Sequence, residues 1–382
     1  MTVALQVTQK VIGRIPLMRT VTTTMDPTTS VEPGQMRALV YGGPGVRAWQ
    51  AMPKPVVRDP GDAVVRITTS TICGTDLHIM KGDVPTVTPG RILGHEGVGV
   101  IEAVGPQVSS FRQGDRVLIS CISACGTCDA CRKGMFSHCR TGGWVLGNTI
   151  DGTQAEFVRT PHAETSLYPV PPNVDEEAAV MLSDILPTAF VCGVLNGQVK
   201  PGDTVAIVGA GPIGLAALLT AQFYSPATIL MIDLDENRLR VASQFGATSL
   251  INSADGNAVA SVMALTGGAG VDVAIEAVGV PATFDICQSI LAPGGRLANI
   301  GVHGKPVQLN LEKLWDRNVA ITTRLVDTAA IPMLLKLVRS GKLQPAKLIT
   351  HRFPLNDIMK AYDTFGNAAQ ERALKVILSN PA

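Results

Sequence analysis

The sequence predicts an α/β protein of two domains, in which a β-rich domain is joined to a doubly wound parallel sheet. Three observations predict this class. The chain has 382 residues, which is more than one compact core normally uses. Residues 36–183 contain short alternating runs, such as AVVRITTSTI and GVGVIEAVG, separated by Gly, Pro and Asp, which is typical of strands and turns. From residue 199 strands alternate with helices, and the strands are continuous apolar runs, which is typical of a parallel sheet.

The elements of the second half follow one another regularly. DTVAIVG predicts a strand and PIGLAALLTAQF a helix, and ATILMID predicts a second strand. ENRLRVASQFG predicts a helix that Gly246 closes, and VDVAIEAVG and GGRLANIG predict further strands. After about residue 324 the pattern changes to a helix (IPMLLKLVRSG), a strand (KLITHRF), a helix (LNDIMKAYDTF) and a strand (ALKVIL).

The composition excludes several classes of protein. Apolar residues make up 46% and charged residues 16% of the chain, which describes a globular protein and not a disordered one. Lys and Arg number 32 against 31 Asp and Glu, so nothing indicates nucleic acid as a partner. The most apolar run, residues 205–219, is too short to span a membrane and is interrupted by Gly and Pro. No signal peptide is evident, and we expect a cytoplasmic protein.

Residues 1–35 differ from the rest of the chain. They are rich in Thr and Val, carry three basic residues and have no acid before Asp26. We expect a disordered leader or an upstream start codon, with the fold beginning at Met36. An organelle-targeting peptide is the alternative, because the charge bias fits it although the helical pattern is weak.

The stretch VAIVGAGPIG contains the dinucleotide-binding pattern G-x-G-x-x-G. The pattern is weak by itself, but here it follows a predicted strand and begins a predicted helix. The first glycine permits the tight turn, the second lets the backbone approach a pyrophosphate, and the third lets the helix pack close to the sheet. The amino terminus of the helix then favours the phosphate charge. The residues predicted to form this turn are Gly209, Gly211, Pro212, Ile213 and Gly214.

An acidic residue ends the next predicted strand. Asp233 follows Gly214 by 19 residues, about where a carboxylate binds the adenosine ribose hydroxyls. Because that carboxylate would repel the extra phosphate of NADP, the sequence predicts NAD as the cofactor. Arg238 is the only nearby base, and we expect it on the helix side of the cofactor-binding region.

Four cysteines lie in CGTCDACRKGMFSHC with the spacing C-x2-C-x2-C-x7-C. Four thiolates at this spacing predict a closed, tetrahedral structural zinc site. Disulfides are disfavoured because the rest of the chain looks cytosolic. An iron–sulfur cluster would favour a shorter final gap and a following proline, whereas Arg140 follows here. The predicted ligands are Cys125, Cys128, Cys131 and Cys139. We expect small core residues at Cys121, Cys192 and Cys287.

A second possible metal site begins at Cys73 and His95. A lone histidine on an apolar segment is more often a core residue, but His95 and Glu96 lie between two glycines, after a cysteine and before the cysteine quartet. A thiolate, an imidazole and one more ligand would leave a fourth position of zinc open, which is the pattern of a catalytic site.

On these motifs the chain resembles the zinc-dependent medium-chain alcohol dehydrogenases. The likeness covers residues 36–382 and rests on CGTDLH, GHEGVGVIEAVG, the four-cysteine lobe, VGAGPIG and the tail LITHRF, AYDTF and ALKVIL. The resemblance implies a GroES-like catalytic domain over residues 36–183 and 325–382, and a Rossmann domain over residues 184–324. It also implies two zinc ions per chain, NAD, a cleft between the domains, and Asp184 in MLSDILPTAF as the third ligand of the catalytic zinc.

The resemblance further implies roles for the polar residues around the catalytic zinc. Thr75 matches the relay hydroxyl and His78 the imidazole that hands the proton to solvent. Asp76 would hold His95, and Glu96 matches an acid behind the metal. Lys375 matches a basic position that contacts the cofactor pyrophosphate. Gly74 stands where some relatives carry an arginine that contacts the phosphate, so that contact must be absent or come from elsewhere.

The expected activity is reversible oxidation of short alcohols, secondary ones above all, to ketones or aldehydes. The third ligand is Asp and not Cys, which resembles bacterial secondary-alcohol and formaldehyde dehydrogenases. A formaldehyde, polyol or amino-alcohol dehydrogenase is the alternative, and a zinc-free reductase or binding relative is disfavoured by the ligand set. We expect Trp144 and Leu186 in the substrate pocket. The run NVAITTRLVDT resembles the edge strand through which relatives pair, which predicts a dimer or tetramer.

Overall fold

The structure is a computed structural model that describes the backbone of residues 22–24 and residues 32–380. In this part of the chain the strands are β1 (Thr22–Thr24), β2 (Gln35–Gly43), β3 (Val46–Pro53), β4 (Ala63–Thr71), β5 (Gly97–Val104), β6 (Arg116–Ile119), β7 (Phe157–Thr160), β8 (Leu167–Pro169), β9 (Thr204–Val208), β10 (Thr228–Asp233), β11 (Ser249–Asn252), β12 (Val271–Glu276), β13 (Leu291–Asn299), β14 (Ala320–Thr323), β15 (Ile349–Pro354) and β16 (Lys375–Ser379).

The α-helices are α1 (Gly74–Lys81), α2 (Asp129–Arg132), α3 (Ala163–Ser166), α4 (Glu176–Val180), α5 (Ile185–Thr188), α6 (Pro212–Ala221), α7 (Glu236–Gln244), α8 (Ala258–Leu265), α9 (Pro281–Ser289), α10 (Leu311–Leu314), α11 (Ile331–Arg339), α12 (Ile358–Gly366) and α13 (Ala368–Glu371). A π-helical segment, Ala189–Leu195, continues α5. Short 3-10 turns occur at Phe136–His138, Gln222–Tyr224, Thr328–Ala330, Pro345–Leu348 and Leu355–Asp357.

The predicted parallel sheet has six strands in the order β11-β10-β9-β12-β13-β14, and all its pairings are parallel. The strand order reverses between β9 and β12, and ligands of such sheets bind at this switch point, beyond the carboxyl ends of the strands. Val205, Ala206 and Ile207 of β9 are all fully buried, since helices cover both faces. This confirms the predicted doubly wound domain and places the glycine-rich turn at the switch point.

The β-rich part forms a second sheet, in the order β15-β16-β4-β5-β6-β8, with β7 also paired to β4. The carboxyl-terminal strand β16 pairs antiparallel with β4, with Ile377 opposite Thr71. The last segment of the chain therefore returns to the sheet of the β-rich part, as the resemblance implies. This return brings the tail to the end of β4, next to the predicted zinc ligand Cys73.

A third sheet has the order β1-β3-β2. Thr22–Thr24, within the predicted leader, pairs in parallel with residues 47–49 of β3, and the disorder expected for the leader as a whole stays a prediction. The strand β2 begins at Gln35, one residue before the predicted start of the fold. The other leader residues before residue 32 lie outside the described part of the chain. Among the described helices, none has the length and apolarity needed to cross a bilayer.

Candidate active site

Cys73 occupies the turn between β4 and α1. Its backbone is extended and it precedes the first residue of the helix, so its thiol lies at the helix amino terminus. The Cys73 amide donates a 2.9 Å hydrogen bond to Oδ2 of Asp76, which caps the first turn of α1. The sequence CGTD thus forms a helix start that fixes the thiol relative to the Asp76 carboxylate.

His95 is held on the segment that enters β5. Gly94 before it has φ +93°, and a Cβ at this position would lie 2.6 Å from Cγ of Gln154. Only glycine therefore fits before the histidine, because both the left-handed backbone and the contact exclude a side chain. The imidazole of His95 is buried, with 3% exposure, and contacts the indole ring of Trp144 edge-on at 5.9 Å.

Asp184 precedes the first residue of α5 and completes the group. Its Oδ2 lies 3.2 Å from Nε2 of His95 and 3.6 Å from Sγ of Cys73. One donor atom from each of Cys73, His95, Glu96 and Asp184 falls within 4.8 Å of the others. The structure thus brings the three predicted ligands together from three distant parts of the chain.

The charges of this group suit a bound cation. Burial opposes charge on Asp184, but hydrogen bonds from His95 and Thr188 lower its pKa to about 2. Burial would also lower the pKa of His95, yet its contacts with Asp184 and Cys73 outweigh burial and raise that pKa well above the usual range. The cluster therefore attracts positive charge at Nε2. A sulfur, nitrogen and oxygen donor set matches the ligands that zinc takes in catalytic sites, so the residues fit zinc.

Glu96 lies behind this group and is paired with Lys375. The carboxylate lies 2.8 Å from Nζ of Lys375, and both side chains are buried, with exposures of 1%. Burial alone would lower the pKa of Lys375, but the Glu96 charge outweighs it and raises the pKa. The ammonium also donates to the carbonyl of Ile72 at 3.2 Å. The expected contact between Lys375 and a pyrophosphate stays a prediction, and the ammonium would have to move from Glu96 to make it.

Thr75 and His78 lie on α1 and line one cavity of about 480 Å³ together with His95 and Asp184. The Thr75 hydroxyl lies 3.6 Å from Sγ of Cys73. His78, farther toward solvent, pairs through Nδ1 with Oδ2 of Asp83 at 2.9 Å. The predicted relay residues are thus ordered from the ligand group outward along one helix face, since they are three positions apart.

The walls of this cavity only partly match the expectation. Trp144 lines it as predicted, whereas Leu186 is fully buried in the core and does not. Successive helix residues turn by about 100°, so Leu186 points away from the side of Asp184, and Thr188, four positions on, shares that side. The Thr188 hydroxyl donates a 2.5 Å hydrogen bond to Oδ1 of Asp184. The sequence reasoning missed Thr188, although its spacing from Asp184 was a usable signal.

Two cysteines expected in the core also line the cavity. Sγ of Cys121 lies 3.6 Å from Oδ1 of Asp184, and Cys192 projects from the π-helical segment. Burial raises the pKa of Cys121 well above its usual range, which favours the thiol form, and this thiol donates a weak hydrogen bond to Asp184. Cys287, in contrast, is fully buried in the core as expected.

The glycine-rich turn between β9 and α6 has the predicted geometry. Gly209 has φ +109°, and a Cβ on Gly214 would lie 1.8 Å from the carbonyl oxygen of Gly209. Gly211 precedes the first helical residue, Pro212, and Ile213 follows in the first turn. The space beside Gly211 is open except for the guanidinium of Arg238, whose Nη1 lies 3.9 Å from the position of a Cβ there. An anion at this helix start would therefore meet Arg238 as well as backbone amides.

Asp233 lies at the end of β10 beside this turn. Its Oδ2 accepts a 2.6 Å hydrogen bond from the amide of Ala210, and its Oδ1 accepts one of 2.8 Å from Asp235. The residue is half-buried and therefore partly accessible to solvent. The predicted ribose contact is compatible with this position and remains a prediction.

The four-cysteine lobe folds around α2. The donor sulfurs of Cys125, Cys128, Cys131 and Cys139 lie within 4.8 Å of one another. The separations are 3.5 Å for Cys128 and Cys131 and 4.0 Å for Cys125 and Cys131. Tetrahedral zinc with bonds of about 2.3 Å needs sulfurs about 3.8 Å apart. All eight cysteines of the chain lie within the described residues, and none of them forms a disulfide.

Hydrogen bonds within the lobe favour thiolates. The Thr127 hydroxyl and the amides of Thr127 and Cys128 lower the pKa of Cys125 to about 5. Burial raises the pKa of Cys131 to about 12, so this thiol stays protonated unless a cation takes the place of its proton. Zinc removes such protons. The lobe therefore has the spacing and the donor chemistry of a closed zinc site.

Comparison with known proteins shows the family of the chain. Residues 59–172 match the family described as the alcohol dehydrogenase GroES-like domain, and residues 212–340 match the zinc-binding dehydrogenase family. An alcohol dehydrogenase of Cupriavidus necator is 38% identical over 366 residues, which cover 90% of this chain and 98% of that protein. The chain belongs to the zinc-dependent medium-chain alcohol dehydrogenase family, and it is an oxidoreductase of that class.

Solved structures give the same result for the fold. The apo form of zinc-dependent alcohol dehydrogenase 2 from Streptococcus pneumoniae is 55% identical, with a TM-score of 0.87 over 91% of this chain and 99% of that one. The alcohol dehydrogenase TADH from Thermus sp. ATN1 is 37% identical, with a TM-score of 0.84 over 90% of this chain and 99% of its own. The GroES-like and Rossmann domains predicted from the sequence are therefore both present.

Proposed function

We propose that this enzyme oxidises short secondary alcohols to ketones with NAD, and catalyses the reverse reaction. When bound, NAD would supply the acceptor for the hydride that leaves the carbinol carbon, while the hydroxyl would lose its proton to solvent and a carbon–oxygen double bond would form. Zinc at Cys73, His95 and Asp184 would supply Lewis acidity toward the alcohol oxygen. The observation that carries the proposal is the convergence of these three donors in a cavity that also contains Thr75 and His78.

The remaining residues would hold the substrate and move the proton. The Thr75 hydroxyl, 3.6 Å from the Cys73 sulfur, is close enough to the ligand group to accept the substrate proton in a hydrogen bond. His78 lies nearer to solvent and is oriented by Asp83, so it suits the last step of proton release. A second zinc ion would occupy the four-cysteine lobe, where its role would be to stabilise the fold.

The choice of NAD rests on Asp233. This carboxylate lies next to the glycine-rich turn, where the adenosine ribose of a dinucleotide would bind. Its negative charge would disfavour an added ribose phosphate. Arg238 lies beside Gly211, on the pyrophosphate side of the turn, and could replace the phosphate contact that an arginine at position 74 makes in some relatives.

The preference for a small secondary alcohol rests on the cavity walls. Apolar side chains form much of the lining, and the polar lining residues outside the ligand group include His138, Asn299, Thr323 and Arg324. The apolar lining includes Val84, Ile122, Trp144, Ile300 and Val326. Such walls favour short alkyl groups on both sides of the carbinol carbon over the many hydroxyls of a polyol, which would need buried partners. Formaldehyde, polyol and amino-alcohol oxidation remain the alternative.

We also propose a cytoplasmic homo-oligomer. Among the described residues, β14 is the last strand of the six-stranded sheet and no strand pairs with its outer side. Exposed apolar side chains lie in the adjoining sequence, among them Leu309, Leu311, Trp315 and Leu325. Pairing of two β14 strands would cover this edge and these side chains, and light scattering would then give two or four chains per particle.

The activity is tested by initial rates for a panel of alcohols and carbonyls with NAD and NADP. The panel should contain propan-2-ol, butan-2-ol, ethanol, sorbitol, glutathione-bound formaldehyde and an amino alcohol. We expect the highest kcat/KM for a short secondary alcohol with NAD. A higher value for sorbitol or for the formaldehyde adduct would replace the proposed substrate with the alternative, and no activity on any alcohol would refute the proposal.

A further inference from the structure

Gln154 is a fully buried amide that contacts the first turn of α1 and the segment that carries His95. It lies three residues before β7, and its Cγ is one of the atoms that leave room only for a glycine at position 94. Its Nε2 donates to Oδ2 of Asp76 at 3.0 Å and to the carbonyl of Thr71 at 3.3 Å. Both amide hydrogens are thus used on groups next to Cys73, so the side chain has one favourable orientation.

The amide determines how the Asp76 carboxylate is turned. Oδ2 of Asp76 accepts hydrogen bonds from Gln154 and from the amide of Cys73. The other oxygen, Oδ1, lies 3.8 Å from Nδ1 of His95, which is beyond hydrogen-bond distance, and within the described residues neither of these two buried atoms has a hydrogen-bond partner. With Oδ2 held on two donors, Oδ1 is left on the side of His95 Nδ1. The carboxylate is therefore set to fix the imidazole so that Nε2 points at the other ligands.

Tyr362 fixes the orientation of Gln154 in turn. Its hydroxyl donates to Oε1 of Gln154 at 2.7 Å, and the side chain is 2% exposed. Burial raises the pKa of Tyr362 well above 10, so the hydroxyl keeps its proton and the amide cannot flip without losing this bond. The guanidinium of Arg47 lies 5.1 Å above the tyrosine ring and pairs with Asp363, which holds this part of α12 in place.

These contacts form one buried path from α12 to the zinc ligand His95. We propose that Gln154 and Tyr362 are positioning residues for the catalytic metal: they turn Asp76 so that it aims His95, and thereby determine how tightly this site holds zinc. The inference rests on the proposed function, because it needs a catalytic zinc. It predicts that α12, which contributes no residue to the cavity lining, controls zinc retention.

Zinc release into a chelator tests this proposal in Gln154→Met, Tyr362→Phe and the double variant. The wild type should release zinc in two phases, one for each site. The phase that is absent from His95→Ala belongs to the catalytic ion. We expect Gln154→Met to release that ion roughly 10–100-fold faster, the range seen when an outer partner of a ligand is lost. The four-cysteine phase should not change, and kcat should fall more than KM rises. Tyr362→Phe should change the release in the same direction but less.

The double variant shows whether Tyr362 acts on the zinc site through Gln154 or whether the two residues affect zinc release independently. Once Gln154 is methionine, the Tyr362 hydroxyl has no acceptor, so its removal should cause no further acceleration of zinc release. Tyr168→Phe is the matched control, because it removes a tyrosine hydroxyl that donates to the Thr328 carbonyl away from the site. It should leave both phases unchanged.

Three results would overturn the proposal. Gln154→Met could release its catalytic zinc at the wild-type rate, or the effects of the two substitutions could add, or Tyr168→Phe could accelerate release as much as Tyr362→Phe. If Gln154→Met fails to fold, the rate of zinc release from the milder Tyr362→Phe variant tests the proposal. If the wild type holds no zinc at Cys73, His95 and Asp184, the proposed function itself fails, which the wild-type release curve shows separately.

Discussion

Nε2 of His95 lies 3.2 Å from Oδ2 of Asp184, although 89 residues separate them in the chain. The two residues come from different elements, the entry to β5 and the start of α5. Side chains of this kind are rarely buried next to a thiol unless a charge or a metal holds them together. This contact, with the Cys73 sulfur 3.6 Å from the same oxygen, is the basis of the proposed catalytic site.

The four-cysteine lobe should contribute to stability and not to the chemical step. Cys128→Ser should lower the melting temperature by about 10 °C, since loss of a structural metal costs roughly 4 kcal/mol and each kcal/mol shifts Tm by about 2–4 °C. The measurement is calorimetry with and without a chelator, with Lys133→Ser on the same lobe as control. A Cys128→Ser protein as stable as the control would contradict the assignment of a structural zinc.

Thr75 and His78 should affect proton release and not metal binding. Thr75→Ala should lose roughly 10²–10⁴-fold in kcat for alcohol oxidation, the range for general acid–base groups, whereas Thr75→Ser keeps the hydroxyl and most of the activity. His78→Gln should slow oxidation most at low pH, where solvent accepts a proton poorly, and recover as the pH rises. Zinc content should equal that of the wild type in all three variants. Near-normal rates in Thr75→Ala, or loss of its metal, would assign Thr75 a packing role.

Asp233 should determine the cofactor. The wild type should have a much higher kcat/KM with NAD than with NADP, and Asp233→Gly should reduce that ratio by about tenfold or more because it removes the charge that repels a phosphate. Asp233→Asn is the sharper variant, since its amide oxygen can still accept a hydrogen bond from Ala210 or Asp235. A wild-type preference for NADP, or an unchanged ratio in Asp233→Asn, would contradict this assignment.

The sequence predicted local features well because their causes are local. The strands β9 and β10 follow from continuous apolar runs, and the turn at Gly209 follows from a spacing that only certain backbone conformations satisfy. The cysteine lobe is also local, since its four ligands span fifteen residues. Spacing within one short stretch is enough to predict such features.

Features that depend on contacts between distant parts of the chain could not be predicted from the spacing within one short stretch. Asp184 was identified through the family resemblance and not through spacing, because 111 residues separate it from Cys73. The cavity positions of Cys121 and Cys192 depend on how the two domains pack. The sequence around a buried cysteine does not show whether it lies in the core or lines a cavity. The hydrogen bond from Tyr362 to Gln154 spans 208 residues and leaves no pattern in the sequence.

The zinc content of freshly purified, chelator-free protein tests the central claim most directly. The wild type should contain two zinc ions per chain, and His95→Ala should contain one, keep a wild-type fold by circular dichroism and have no alcohol oxidation activity. A wild type with one zinc or none, or a His95→Ala protein that retains two zinc ions and substantial activity, would contradict the account.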